Sequence, residues 1–416
     1  MYAASLRFED RKRYMRYAVY SSCFGAVLQM GISESSLFII YASRLGADQF
    51  LSLMTTSVIP LLKLFLLIPF AYIMEKTGLK GMLIPSYFVG MAGMTAASVS
   101  GFFPDRALML FVGGIFLYAV SISVHSAGWF ALQRYIIPPG ERGAHIGRLR
   151  YSWQITVSLF LLIASLVVDE NSPLVRMQVI IFIGTLLIIG RIVFISRIPE
   201  RPPRGHTPPF WVMLHAAWKN KPLLRMSLFM AGVNFLIAST VPAGFAFLKY
   251  ELALPDNLNV LFSVCTGLAT IGGFIAASRI IDKFPAKTMF LIVQGLFAGV
   301  NCLLLAVRTP SVPAHALVLV LLCAAAACYA FCSVVISTSM MGLVKENNIN
   351  ISIALSFGLT SGGVGLSRML SGIAAQYAAV PAGINISVYH LLFLGFGLGM
   401  AALLLAVLRS DILVHR

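Results

Sequence analysis

The sequence predicts an all-α membrane protein with twelve transmembrane helices in two pseudo-symmetric six-helix bundles, and three observations lead there. The 416 residues are 59% hydrophobic and 11% charged, with mean hydropathy +0.88, whereas a soluble domain carries roughly a quarter charged residues. Apolar runs of about 20 residues, the length that crosses ~30 Å of hydrocarbon, recur along the whole chain. One short charged stretch between two such runs is written again half a chain later.

The runs fall at 17–41, 51–74, 81–102, 107–131, 149–168, 177–197, 225–248, 258–280, 288–307, 314–340, 352–376 and 387–408. They are too long and too evenly apolar for the alternating ~10-residue strands of an outer-membrane barrel. The first follows "LRFEDRKRYMRY", which is too charged for a cleavable signal, so that span is expected to act as its own insertion signal. Between the sixth and seventh lies the longest polar interval, "SRIPERPPRGHTPPFWVMLHAAWKNKPLL". Its prolines forbid a continuous helix at the start, and "FWVMLHAAWKNK" then reads as a short amphipathic helix on the membrane surface. The chain thus divides into a bundle at 1–197, a linker at 198–224 and a second bundle at 225–416.

Charge placement gives the orientation. Lysine and arginine crowd one set of span ends, while the other set holds only Arg44, Arg106, Arg176, Lys249 and Arg308. Basic loops stay on the cytoplasmic side, so both termini are expected in the cytoplasm, with the chain multi-pass in the cytoplasmic (inner) membrane. The same asymmetry accounts for the formal net charge of +16. It reads as a topogenic signal with attraction to anionic lipid, and no nucleic-acid partner is expected. The six cysteines all lie in apolar runs without CxxC spacing, and the seven histidines form no HxxxH or HExxH. Neither a disulfide framework, a metal site nor a cofactor is therefore expected. No GxxxxGK[ST] phosphate loop occurs, and no enzyme activity is expected.

The repeated stretch is "EKTGLK" at 75–80 and "DKFPAK" at 282–287, an offset of 207 from Glu75 to Asp282. Both copies read acid, Lys, any, turn-former, any, Lys, and both join the second and third spans of their half. An acid at a helix end, then a Gly or Pro turn and a basic residue, makes a tight reversal with ionic side chains at the membrane surface. This arrangement resembles the major facilitator superfamily, whose loop between helices 2 and 3 reads roughly Gly-x-x-x-Asp-Arg-x-Gly-Arg-Lys. Glu75 stands at the acid, Lys76 at the following base, Gly78 at the turn glycine and Lys80 among the terminal bases. The leading glycine is Ala71 here, and Ser278 in the second copy. "QRYIIPPGERGAHIGRLR", 133–150, echoes the family's loop between helices 4 and 5 through Glu141, Arg142, Gly143 and Gly147. The resemblance implies alternating access, with two halves rocking about a central site and cytoplasmic clusters latching one state. It assigns that latch to Glu75, Lys76, Gly78, Lys80, Arg142, Asp282, Lys283 and Lys287.

Polar side chains on otherwise apolar helices turn away from lipid, so their stripes mark the interior. The first span has Ser22, Gly25, Gln29, Ser33 and Ser36; the fourth has Tyr118, Ser121, His125, Trp129 and Gln133; the tenth has Tyr329, Ser333 and Ser337. The seventh has Asn234, Ser239 and Thr240 ahead of Pro242, which is expected to break or kink it. The resembled family lines its cavity with these four helices. Small residues at this spacing also serve close helix packing. Four ionisable residues lie deep in spans, namely Glu34, Lys63, His125 and Arg368. Glu34 can bridge to Arg368 or Lys63 structurally. Lys63 or Arg368 can instead hold an anionic group while Glu34 or His125 carries a proton, or the acid can be a cation site beside a neutral solute. The expected pathway is Gln29, Ser33, Glu34, Lys63, Tyr118, His125, Asn234, Tyr329, Ser333 and Arg368. The function expected is secondary active transport of a small hydrophilic solute by a monomer, with proton symport. The alternatives are an efflux antiporter of drugs or metabolites, disfavoured by the absence of Gly and Pro from "SWQITVSLFLLIASLVV", and a non-transporting receptor or scaffold.

Overall fold

A computed structural model describes residues 7–138, 141–169, 171–200, 208–280, 283–341, 349–377 and 386–410. All regular structure in them is helical. The N-terminal half contains α1 (Phe8–Ala26), α2 (Ser36–Arg44), α3 (Gln49–Thr77), α4 (Lys80–Val99), α5 (Ala107–Ile136), α6 (Arg142–Val167), α7 (Leu174–Leu186) and α8 (Ile188–Ser196). The linker forms α9 (Phe210–Trp218). The C-terminal half contains α10 (Lys221–Ile237), α11 (Thr240–Tyr250), α12 (Asp256–Ile280), α13 (Ala286–Leu304), α14 (Val312–Met341), α15 (Ile349–Tyr377) and α16 (Val388–Leu408).

Among the described residues, ten helical stretches are long and apolar enough to cross a membrane, and the pair α1 and α2, bent by 51°, counts as an eleventh. The remaining predicted span, at 352–376, is the 29-residue α15. Its serines, glycines and Arg368 make it more polar, and it is packed between α3 and α10. Twelve membrane-crossing units is therefore the consistent count.

The breaks have local causes. α1 loosens into a π turn at Val27–Ile32, and Ser35 starts α2 by accepting from the Leu37 N–H (3.2 Å) while donating to the Gly31 carbonyl (2.7 Å). The seventh span breaks at Ala238–Ser239, just ahead of Pro242 in the first turn of α11. There the missing proline N–H removes no helical hydrogen bond. In α3, Pro60 lies inside the helix and leaves the Thr56 carbonyl, four residues earlier, without its helical donor. Gly78 ends α3 at φ +91°, a conformation that strains any residue bearing a Cβ.

The apolar interior forms two large clusters. One is built almost wholly from α1–α8 and includes Leu28, Phe38, Phe111 and Met177. The other is built almost wholly from α10–α16 and includes Met230, Phe247, Phe297 and Phe393. Two long seams join them, α3 against α15 and α6 against α12. The linker helix α9 is seated where the first seam ends: Met213 and Ala217 pack with Ile351 and Leu355, and Ile68 and Tyr72 adjoin them. Trp211 and Trp218 remain exposed, the two-faced arrangement expected of a surface helix.

Candidate solute cavity

A cavity of about 210 Å³ lies in the part of the bundle nearer the linker. Its wall is contributed by Ser22 and Gln29 of the first span, Lys63 and Leu67 of α3, His125, Trp129 and Gln133 of α5, Arg150 and Trp153 of α6, Arg191 of α8, and Phe357 and Ser361 of α15. The lining has three cationic side chains and one histidine, and no carboxylate among the described residues.

Arg191 is 3% exposed. Its Nε donates to the Ser21 carbonyl at a long 3.4 Å, and its guanidinium sits 5.9 Å from the Tyr87 ring. It reaches the cavity by crossing α1 at Gly25, where a Cβ would fall 1.6 Å from the guanidinium carbon. Gly25 is thus the gap through which Arg191 passes. Lys63 lies within electrostatic range of Arg191, Arg368 and Glu34, but forms no salt bridge with the last. Arg150 packs over the Phe274 ring at 5.1 Å, reaching across the α6–α12 seam. His125 is held by its neighbours: Nδ1 shares a 2.7 Å hydrogen bond with the Tyr87 hydroxyl, and its ring stacks on Trp129 at 5.3 Å. Two further donors on lining residues, Trp153 Nε1 and Gln133 Nε2, are buried without an acceptor.

Of the residues expected on the pathway, Gln29, Lys63 and His125 meet at this cavity. Glu34 is half-buried at the break between the π turn and α2. It acts electrostatically on Lys63, Tyr118 and Tyr329, and it makes neither the Arg368 bridge nor the Lys63 pair. Ser33 donates back to the Gln29 carbonyl, and the buried Tyr118 hydroxyl meets no hydrogen-bond partner. Asn234 is turned into its own helix, donating to the Met230 carbonyl (2.9 Å). Ser333 likewise donates to Ala330 (2.8 Å), and Tyr329 is 40% exposed. Arg368 donates from Nη1 to the Thr56 carbonyl (2.9 Å). This is the acceptor freed by Pro60, so the arginine ties α15 to α3 across the two halves. The lining therefore comes from spans 1, 2, 4, 5, 6 and 11, and the described parts of spans 7 and 10 do not contribute.

Arg191 and Arg150 are the residues that sequence reasoning missed as site groups. Arg150 follows Arg148 at the basic start of the fifth span, where it reads as one more orienting charge. Arg191 was visible as a lone charge in the apolar "IIGRIVF" of the sixth span, and its burial beside a glycine in another helix required the fold.

The contacts at the two ends of the bundle differ. At the end away from the linker, Asp256 is 1% exposed and bonds Arg44 from Nε (2.9 Å) and Nη2 (2.6 Å), and Lys249 through Nζ (2.5 Å). Arg44 also donates to the carbonyls of Ser172 (2.7 Å) and Asp169. One carboxylate of the C-terminal half is thereby fixed to a guanidinium anchored in the N-terminal half. Ser36 adds a contact to Ser263 (2.9 Å), and Tyr250 one to Ser52 (2.9 Å). At the linker end, Lys80 Nζ donates to the Ser196 carbonyl (2.8 Å). In the second half its counterpart Lys287 donates to the carbonyls of Leu408 (3.1 Å) and Ser410 (2.8 Å). Each lysine thus caps the C-terminus of the last helix of its own half and does not reach across. Glu200 accepts the Leu79 and Lys80 backbone N–H groups (2.9 and 2.8 Å), an acid at the start of α4. Lys76 sits 4.6 Å from the Tyr72 ring, and Lys283 closes its turn through its backbone N–H to Ile280 (2.9 Å). Asp282 and the Arg142 side chain lie outside the described residues.

A family model described as Major Facilitator Superfamily matches residues 18–366. Solved structures similar to this chain include the xylose transporter XylE from E. coli in a partially occluded inward-open conformation. It is 10% identical, with TM-score 0.75, over 95% of this chain and 98% of that one. The nucleoside transporter NupG is 13% identical with TM-score 0.64 over 98% and 100%. FucP in the outward conformation is 12% identical with TM-score 0.67 over 95% and 98%. At these identities the likeness concerns the fold. No curated protein sequence matches the chain.

Proposed function

The chain belongs to the major facilitator superfamily, and from that premise we propose that it is a secondary active transporter of a small hydrophilic solute, working by alternating access with proton symport. The observation that supports it is the cavity at Lys63, His125 and Arg191, walled by both halves, above which the far end is shut by the Arg44–Asp256–Lys249 cluster. A site closed at one end by contacts between two rigid bodies changes its accessible side when those contacts break. The basic span ends support an orientation in the cytoplasmic (inner) membrane with both termini in the cytoplasm, in which the ionic cluster faces outward and the linker helix lies on the cytoplasmic surface. Glu34 is the proton carrier. It sits where α1 breaks, within electrostatic range of Lys63, and forms no salt bridge among the described residues.

The halves are the bundles 1–197 and 225–416 joined by 198–224, and Glu75 supplies the cytoplasmic latch in the outward-facing state. The test is a thermal-shift screen of purified protein against sugars, organic anions, amino acids and nucleosides. Uptake of each hit into proteoliposomes under an imposed pH gradient follows. Gradient-driven uptake lost in Glu34→Gln is the expected result. Uptake indifferent to both the gradient and Glu34→Gln would remove the symport assignment, and absence of any uptake would remove the transport reading itself.

A further inference from the structure

The cavity is a surplus of donors without acceptors. Arg191, Lys63 and Arg150 line one space, and none has a carboxylate partner among the described residues. A cation withdrawn from water and left without a counter-charge costs several kcal/mol even after relaxation. Three such charges in one apolar bundle call for a compensating negative charge, and among the described residues the carboxylate that acts on Lys63 is Glu34, which lies off the cavity wall. The unpaired N–H groups of Trp153 and Gln133 add to the same imbalance. Arg191 is also specifically accommodated, since Gly25 leaves the room that its guanidinium fills. The rest of the wall mixes small polar groups such as Gln29 and Ser361 with ring faces, the His125–Trp129 stack and Phe357 among them.

We propose that the solute bound here is a compact organic dianion. Its charged groups are held among Lys63, Arg150 and Arg191, and its carbon skeleton lies against His125 and Trp129. A dianion answers two of the three lining cations, while Glu34 and Arg368, both off the wall, act on Lys63 in opposite senses. A monoanion leaves the site strongly positive, and a neutral sugar leaves all three cations unanswered. The ~210 Å³ space is small beside the roughly 300–1,000 Å³ of drug-sized sites, which restricts the skeleton to a few carbons. Short dicarboxylates and small phosphate monoesters share this chemistry. Arginine's planar fork suits either one through paired hydrogen bonds.

This inference rests on the transport reading for its physiological sense, but its test is binding. Purified full-length protein is titrated calorimetrically with succinate, glycerol 3-phosphate, sodium sulfate, a monocarboxylate of the same size and neutral xylose. Saturable binding of succinate or glycerol 3-phosphate, at least about tenfold tighter than the monocarboxylate and weakened by salt, is expected. The arm that binds decides between carboxylate and phosphate chemistry. Arg191→Gln is expected to weaken binding about tenfold or more, with partial recovery in Arg191→Lys. Lys63→Gln serves as the second variant should Arg191→Gln fail to fold, and both are checked by gel filtration. Binding of xylose in place of the dianions, or dianion binding unchanged in a folded Arg191→Gln or Lys63→Gln protein, overturns the proposal. Binding of sulfate alone also overturns it, as an unspecific anion effect. The two readings fail separately. Transport of a neutral solute with no dianion binding removes the anion site and keeps the carrier, whereas dianion binding without uptake does the reverse.

Discussion

Asp256→Asn isolates the contact that closes the end of the bundle opposite the linker. The carboxylate is 1% exposed and receives Arg44 twice and Lys249 once. The amide is nearly isosteric, so α12 keeps its packing while the charge is lost. Arg44 stays anchored to the carbonyls of Ser172 and Asp169, so what disappears is the attraction between halves, and the two cations then face each other uncompensated. Breaking a buried ion pair costs about 3–5 kcal/mol. The low end applies, because Arg44 and Lys249 keep 15% and 20% of their side-chain area in solvent. About 3 kcal/mol is roughly a hundredfold change in the ratio of closed to open states at this end. A cysteine placed at Ser36, buried against Ser263 in the closed state, reports it through labelling by a membrane-impermeant thiol reagent. The expected result is a labelling rate at least about tenfold faster in Asp256→Asn. An unchanged rate, in a variant that still binds its solute, would refute the argument that Asp256 holds this end shut.

Other expectations follow from single contacts. Gly25→Val puts side-chain atoms where the Arg191 guanidinium lies, so it should abolish ligand-induced thermal stabilisation and lower the melting temperature; a variant with unaltered ligand response would remove Arg191 from the site. Arg368→Met should destabilise the wild-type protein by about 1–3 kcal/mol through loss of a charged hydrogen bond. It should cost less in a Pro60→Ala background, because position 60 then supplies the Thr56 carbonyl with its own donor; a double-mutant cycle in thermal denaturation measures the difference. Lys80→Met and Lys287→Met each remove a helix C-cap inside one half. Both should lower stability by about 0.5–1 kcal/mol with little change in side-specific cysteine labelling. Glu75→Gln, by contrast, should raise labelling from the cytoplasmic side.

Much of the fold was legible because the bilayer enforces it. A stretch near 20 apolar residues has one stable way to cross hydrocarbon, so "QFLSLMTTSVIPLLKLFLLIPFAYIM" and its like located the spans, although α1 and α6 start at Phe8 and Arg142, well before their apolar runs. Pro242 announced the break ahead of α11 because a proline costs less in the first turn of a helix than in its interior, a local rule. The candidate site was legible in part. Gln29, Lys63 and His125 stood out as polar groups in greasy helices and do converge. Asn234, Tyr329 and Ser333 looked equivalent, yet Asn234 and Ser333 hydrogen-bond within their own helices and Tyr329 stays 40% exposed. Helical spacing says which residues share a face, and it does not say which face meets which neighbour.

The repeated Glu75 and Asp282 stretches pointed to the family that the chain belongs to, because an offset in register is a property of sequence. What their lysines do was decided by tertiary structure: Lys80 and Lys287 close carbonyls of distant helix ends within their own halves. Arg368 was visible as a costly buried charge, but its partner is a backbone carbonyl released by a proline 308 residues earlier. Hydrophobicity and charge act through the medium and so are readable one span at a time. The positive cavity around Arg191 depends on a guanidinium crossing another helix at a glycine, a coincidence of two surfaces that exists only once the helices are packed.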